Sequence, residues 1–162
     1  EDAYRQALRV EPNLVPALLN FADFYRSVGE TTLEEPLLQK ALIAAPESGA
    51  ANHIYGLFLV RQKNYLTALE FLKKAAESED AEPRYAYVYA IALENNAQIE
   101  QAIEALVAAN DRWPNQYDLL LTQVTFMDRI GDTESIYQYI SRLTAIAPNS
   151  ADVTKFVQKY IN

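Results

Sequence analysis

Two stretches decide the fold: Ala68-Leu69-Glu70-Phe71-Leu72-Lys73-Lys74-Ala75 and Ala102-Ile103-Glu104-Ala105-Leu106-Val107-Ala108-Ala109. They begin 34 residues apart, and each sets Ala, Leu and Ala at i, i+4 and i+7. That spacing puts the three on one stripe of an α-helix. The same step runs outward through other columns. It carries Pro12 to Pro46 and Pro114 to Pro148, and Ala7 to Ala41, Ala75 and Ala109. It also carries Ala22 to Gly56 to Ala90, Tyr55 to Tyr89, and Leu38 to Leu72 to Leu106, while Gly29 and Gly131 stand three steps apart. Independent columns held in one register mean an internal repeat.

A second stripe precedes the first. Asn52, Tyr55, Gly56 and Leu59 fall at i, i+3, i+4 and i+7, so each repeat is read as two helices. Small residues at Gly56, Ala68 and Ala75 let the two backbones approach, and Tyr55 and Leu72 fill the flanks. Burying each large side chain is worth roughly 1.5–3 kcal/mol, but only when a neighbouring repeat covers the pair. Gly29 and Gly131 suit positions just past helix ends. Thr32-Leu33-Glu34-Glu35 reads as a capping box, and Pro83 suits a first helical turn. Pro36 is expected close enough to that cap for its missing N–H to cost little. The alternation Tyr85-Ala86-Tyr87-Val88-Tyr89 has the look of a strand, but its register with 50–55 predicts helix.

These columns resemble the tetratricopeptide repeat, whose 34-residue period is a known example of such patterns. The resemblance covers the whole chain. It implies an all-α fold, a right-handed α-solenoid of stacked antiparallel helix pairs, in one domain over 1–162. Residues 1–11 would be the second helix of a truncated repeat. Four repeats follow at 15–48, 49–82, 83–116 and 117–150, and 151–162 would be a C-terminal capping helix. Some residues depart from the pattern. Asp80 stands where Pro is usual, which predicts a looser turn, and Glu34 replaces a small residue. Val124, Ile136 and Leu143 enlarge three small positions, as expected of a divergent terminal repeat. Because the sequence starts within a helical pattern, it reads as a piece of a longer, bacterial polypeptide. Tyr4 and Leu8 are then expected to be exposed, offering an N-terminal edge for a homodimer.

Composition narrows the partners. Half of the 162 residues are hydrophobic and 22% are charged, a globular balance. The net charge is −8 and cysteine is absent, which leaves no disulfide or thiolate–metal framework. Phosphate recognition needs clustered Lys and Arg, so nucleic acid and anionic membrane are poor partners. No run approaches the ~18 apolar residues of a membrane-spanning helix, and no leader is read at Glu1. The composition fits cytoplasm and periplasm equally.

The resemblance also implies a site. In such arrays the first helices line a concave groove, and fixed positions on them face a ligand. Those positions fall on Pro16, Leu19, Asp23, Arg26 and Ser27, on Ala50, His53, Leu57, Val60 and Arg61, on Arg84, Tyr87, Ile91, Glu94 and Asn95, and on Asp118, Leu121, Thr125, Asp128 and Arg129. The floor is mixed: Leu19, His53, Leu57, Tyr87, Ile91 and Leu121, flanked by both signs of charge. It suits an amphipathic helix or extended peptide. The groove could equally be filled by segments of the parent polypeptide. Leu19 and Asp23 stand where a carboxylate clamp for acidic C-termini needs Lys and Asn. Asn20 matches the first rung of an asparagine ladder, but Ile54, Val88 and Thr122 do not.

Catalysis is not expected. His53 is the one histidine, and zinc needs three or four ligands. A base would also need a nucleophile or carboxylate in reach. Asp23, Glu94 and Asp128 are candidates to converge across the groove, Trp113 is read as turn packing, and no phosphate-binding glycine loop occurs. The expected function is a protein- or peptide-binding scaffold without cofactor or metal. The alternatives are a self-association module or an accessory domain of a larger enzyme. In the latter, Tyr85–Leu93 and its flanks are similar to repeat arrays that follow multihaem cytochrome domains.

Overall fold

The structure, a computed structural model, describes residues 1–161. Ten α-helices and no strand occur among the described residues. They are α1 (Asp2–Val10), α2 (Val15–Ser27), α3 (Thr31–Ala44), α4 (Gly49–Arg61), α5 (Tyr65–Glu77), α6 (Pro83–Asn95), α7 (Ile99–Arg112), α8 (Tyr117–Ile130), α9 (Ile136–Ile146) and α10 (Ala151–Tyr160). None is long and apolar enough to cross a membrane. The chain divides into two compact units, residues 1–85 and a second starting at Ala86. The Tyr85–Tyr89 stretch is helical, and Ala86, Ala90 and Leu93 at i, i+4 and i+7 form a buried stripe that a strand would split between its faces.

In the first unit α2 packs on α3 and α4 on α5. Its core includes Leu18, Leu19, Ala22, Leu38, Ala41, Ala51, Phe58, Leu59 and Ala68. The small column does what its size predicts. A Cβ added at Gly56 would stand 2.8 Å from Cγ and Cδ2 of Leu72 and 3.3 Å from its backbone nitrogen. In the second unit Leu106, Leu119, Leu120, Val124, Ile136, Ile140 and Leu143 are all fully buried. Larger residues at Val124, Ile136 and Leu143 therefore fill core rather than opening the fold.

The turns between paired helices hold a column that glycine only half reveals. Gly29, Lys63, Ala97 and Gly131 recur at the 34-residue step, and all four have left-handed φ, between 58° and 80°. Behind each, a backbone N–H reaches five residues back: Glu30 to Tyr25, Asn64 to Leu59, Gln98 to Leu93 and Asp132 to Met127, at 2.9–3.0 Å. This is the Schellman closure of a helix end. Two repeats accept its strain on a side-chain-bearing residue.

Four local expectations are corrected. Helix α3 begins at Thr31 after Glu30, with no side-chain cap, so Thr32 lies inside the first turn. Glu35 does not complete a capping box: its Oε1 accepts from Gln39 Nε2 at 3.1 Å, one turn further on. Pro36 consequently lies inside α3, where its absent N–H removes one helical bond to Thr32. The turn around Asp80 is not loose, since Asp80 Oδ1 accepts from the backbone N–H of Gly49 at 2.8 Å and caps α4. That bond holds the Asp80 carboxyl below its ordinary pKa. A Cβ at Gly49 would stand 2.9 Å from the same oxygen, so the approach needs glycine. Lastly, Tyr4 and Leu8 are half-buried on their own chain. Tyr4 stacks on Phe21 with centroids 5.3 Å apart, and Leu8 packs against the core.

Candidate functional site

The 3.6-residue period places Leu19, Asp23 and Arg26 on one face of α2, and His53, Leu57 and Arg61 on one face of α4. Within the first unit these six residues and Arg84 line a single cleft of about 490 Å³. Asn20, Glu34, Ile54, Glu82 and Tyr85 complete it. Leu19, Ile54 and Leu57 supply apolar wall.

Four of the charges in the cleft are tied in two pairs. Arg26 donates through Nε and Nη2 to Asp23 Oδ1 at 2.8 and 2.6 Å. Arg61 Nη2 donates to Glu34 Oε1, and Arg61 also lies over the Phe58 ring. Glu34 is 1% exposed. Burial raises its carboxyl pKa even though Arg61 pulls the other way. Its second oxygen, Oε2, is buried without a hydrogen-bond partner. His53 stacks on Tyr85 at 4.4 Å, and burial, assisted by the Arg84 charge, lowers its pKa to about 4. The imidazole is therefore neutral at pH 7. Its Nδ1 is buried and unpartnered.

Sequence reasoning did not include Glu34 in the site. The available signal was its departure from a column of small residues; the charge facing it, Arg61, lies 27 positions away.

In the second unit Leu121, Thr125 and Asp128 line a pocket of about 480 Å³ with Asp152, Lys155, Phe156 and Lys159 of α10. Thr125 Oγ1 already donates to the Leu121 carbonyl at 2.7 Å. Asp128 accepts from Lys159 and from the Tyr160 hydroxyl, which together hold its carboxyl below the ordinary pKa. Arg129 Nη1 donates to Glu94 Oε1 at 2.6 Å. Tyr87 and Ile91 are half-buried on α6 and do not line this pocket. The expectation of convergent carboxylates is corrected in kind: Asp23, Glu94 and Asp128 each have a cationic partner of their own. Trp113 ends α7 with the Arg112 guanidinium 4.6 Å above its ring. Among the described residues, no group of three or more His, Asp or Glu is placed to hold a metal ion.

Three solved structures share this architecture. PilF of Pseudomonas aeruginosa superposes with a TM-score of 0.76 at 19% identity, over 98% of this chain and 74% of that one. YrrB, described as a TPR protein with an unusual peptide-binding site, gives 0.68 at 18% identity over 96% and 80%. The chain has the tetratricopeptide-repeat fold. MamA from Desulfovibrio magneticus gives 0.68 at 20% identity over 91% and 84%. The family model for anaphase-promoting complex, cyclosome, subunit 3 matches residues 34–109, just under half the chain. No curated protein matches the sequence. The first-unit cleft is lined mainly by α2 and α4.

Proposed function

We propose that this chain is a protein-binding scaffold that takes an amphipathic helix or extended peptide on the first helices of its repeats. The supporting observation is that Leu19, Asp23, Arg26, His53, Leu57, Arg61 and Arg84, seven of the positions carried over from the repeat pattern, line one cleft, while Pro16, Ser27, Ala50 and Val60 do not. A wall of Leu19, Ile54 and Leu57 beside paired charges suits a ligand with an apolar side and a polar one. Tyr87, Ile91, Glu94, Leu121, Thr125, Asp128 and Arg129 are the matching contacts in the second unit. The domain reading that goes with this has four repeats over 15–150, α1 as the second helix of an interrupted repeat, and α10 as the cap. Recognition rather than catalysis is favoured, because Asp23 and Glu34 are engaged by arginines and the imidazole is neutral, buried and stacked.

Selection of peptide ligands from a displayed library, followed by affinity measurement on single-site variants, tests the reading. Leu57→Asp and Leu121→Asp are expected to weaken binding at least tenfold with unchanged circular dichroism. Selected peptides that bind both variants as tightly as the parent chain would reject it.

A further inference from the structure

We propose that the first-unit cleft receives a basic side chain, the guanidinium or ammonium group of an arginine or lysine on the partner segment. The inference rests on the scaffold reading and adds the charge of what enters.

The cleft has unused acceptors. Glu34 lines it at 1% exposure, yet only Oε1 is satisfied, by Arg61, and Oε2 has no partner. Asp23 repeats the arrangement, since Nε and Nη2 of Arg26 both donate to its Oδ1. Neutral His53 keeps one ring nitrogen as an acceptor, and its buried Nδ1 is unpartnered. Each carboxylate thus has one oxygen held by an arginine of this chain and one left for a ligand. An anionic group would meet the Asp23 and Glu34 carboxylates, which already compensate the Arg26 and Arg61 charges. Arg84 remains on the lining, with Glu82 two residues before it.

A guanidinium fits these acceptors. It carries five N–H donors in a planar fork and has no acceptor to leave unsatisfied. Its aliphatic stem can lie along Leu19, Ile54 and Leu57, as long basic side chains do on apolar walls. Charge favours the same ligand over distance. Residues 1–85 contain 13 Asp and Glu against 9 Lys and Arg, so the unit attracts cations. Burial keeps the Glu34 carboxyl above its ordinary pKa despite Arg61, so a second cation has something left to compensate.

The test uses the full chain and three acetylated, amidated peptides that alternate leucine with arginine, glutamine or glutamate, titrated by fluorescence anisotropy. The arginine peptide is expected to bind at least tenfold tighter than the glutamine peptide. Glu34→Gln and Asp23→Asn are each expected to remove most of that advantage. Asp23 is largely exposed, so its variant reads the site even if Glu34→Gln disturbs folding. Glu104→Gln, an exposed acid of α7, controls for general attraction to an acidic chain. Equal affinity for the three peptides overturns the basic-ligand inference and leaves the scaffold reading standing. So does an equal effect of Glu104→Gln and Glu34→Gln. Failure of the parent chain to bind any of the three overturns both.

Discussion

In the first unit the buried polar pair is Glu34 with Arg61, and in the second it is Asn110 with Gln123. Asn110 Nδ2 donates to Gln123 Oε1 at 2.7 Å, and both amides are wholly enclosed. The Glu34 pair has one end in water: the Arg61 side chain is 39% exposed while Glu34 is shut in. Each pair leaves an oxygen without a partner, Asn110 Oδ1 in the one and Glu34 Oε2 in the other. Enclosing neutral amides costs far less than enclosing a charge, so the amide pair can sit in the interior. The charged pair stands where the 34-residue column runs Glu34, Ala68, Ala102 and Ile136, all buried. At one column position the chain fills its core with apolar side chains at Ala68, Ala102 and Ile136 and builds a cleft wall at Glu34. A polar group at a core position therefore has to be judged by what it faces.

The comparison breaks most readily through the cores that carry it. Leu72→Ala and Leu106→Ala each remove a fully buried side chain and are expected to cost about 2–5 kcal/mol by urea unfolding. A much smaller cost for either would mean that its unit repacks easily. Histidine should separate the units by pH. His53 has its pKa lowered to about 4 from an ordinary 6.5, so the native chain holds fewer protons than the unfolded one between those values. The stability it contributes is full above pH 6.5 and lost as pH falls toward 4, about 2–3 kcal/mol after allowance for solvent. His53→Phe should lose that difference, and hydrogen exchange should place it in the first unit, which holds the only histidine.

The buried pairs should respond in opposite directions. Asn110→Ala strands the Gln123 amide and is expected to cost about 1–2 kcal/mol at any pH. Glu34→Gln should cost nothing or stabilise the chain by about 1 kcal/mol at pH 7. Glu34 has a raised folded pKa, so wild-type stability is greater below the ordinary value of 4.5 and falls as pH rises through the folded one. The advantage of the glutamine variant should therefore vanish in acid, and its persistence at pH 3 would remove desolvation as the cause. The smallest effect belongs to the turns. Lys63→Gly in the first unit and Ala97→Gly in the second should each add about 0.5–1 kcal/mol by relieving left-handed strain, measured by thermal melts.

Much of this was legible in the sequence because repetition multiplies weak signals. The Leu38, Leu72 and Leu106 column named buried residues directly, and all three are fully enclosed. Groove positions carried by the resemblance gathered seven residues on one cleft. Glu34 escaped because the pattern measured it by size, as an oversized small residue. Its role depends on Arg61, a neighbour only in three dimensions. Lys63 and Ala97 escaped for another reason: φ is a backbone property, and a residue that tolerates strain leaves no mark in its identity. Tyr4 was misjudged because the reading supplied α1 with a missing partner and overlooked the aromatic surface of α2.

The bond from Asp80 to Gly49 bears on the order in which the molecule assembles. Ser48 offers α4 only a long local contact, 3.4 Å to Ala51, so the sound cap comes from 31 residues downstream. A chain growing from its N-terminus extrudes α4 and α5 before it can finish α4. The α4–α5 pair stays provisional until the turn after it is made, which sets a direction of completion that the static helices do not display.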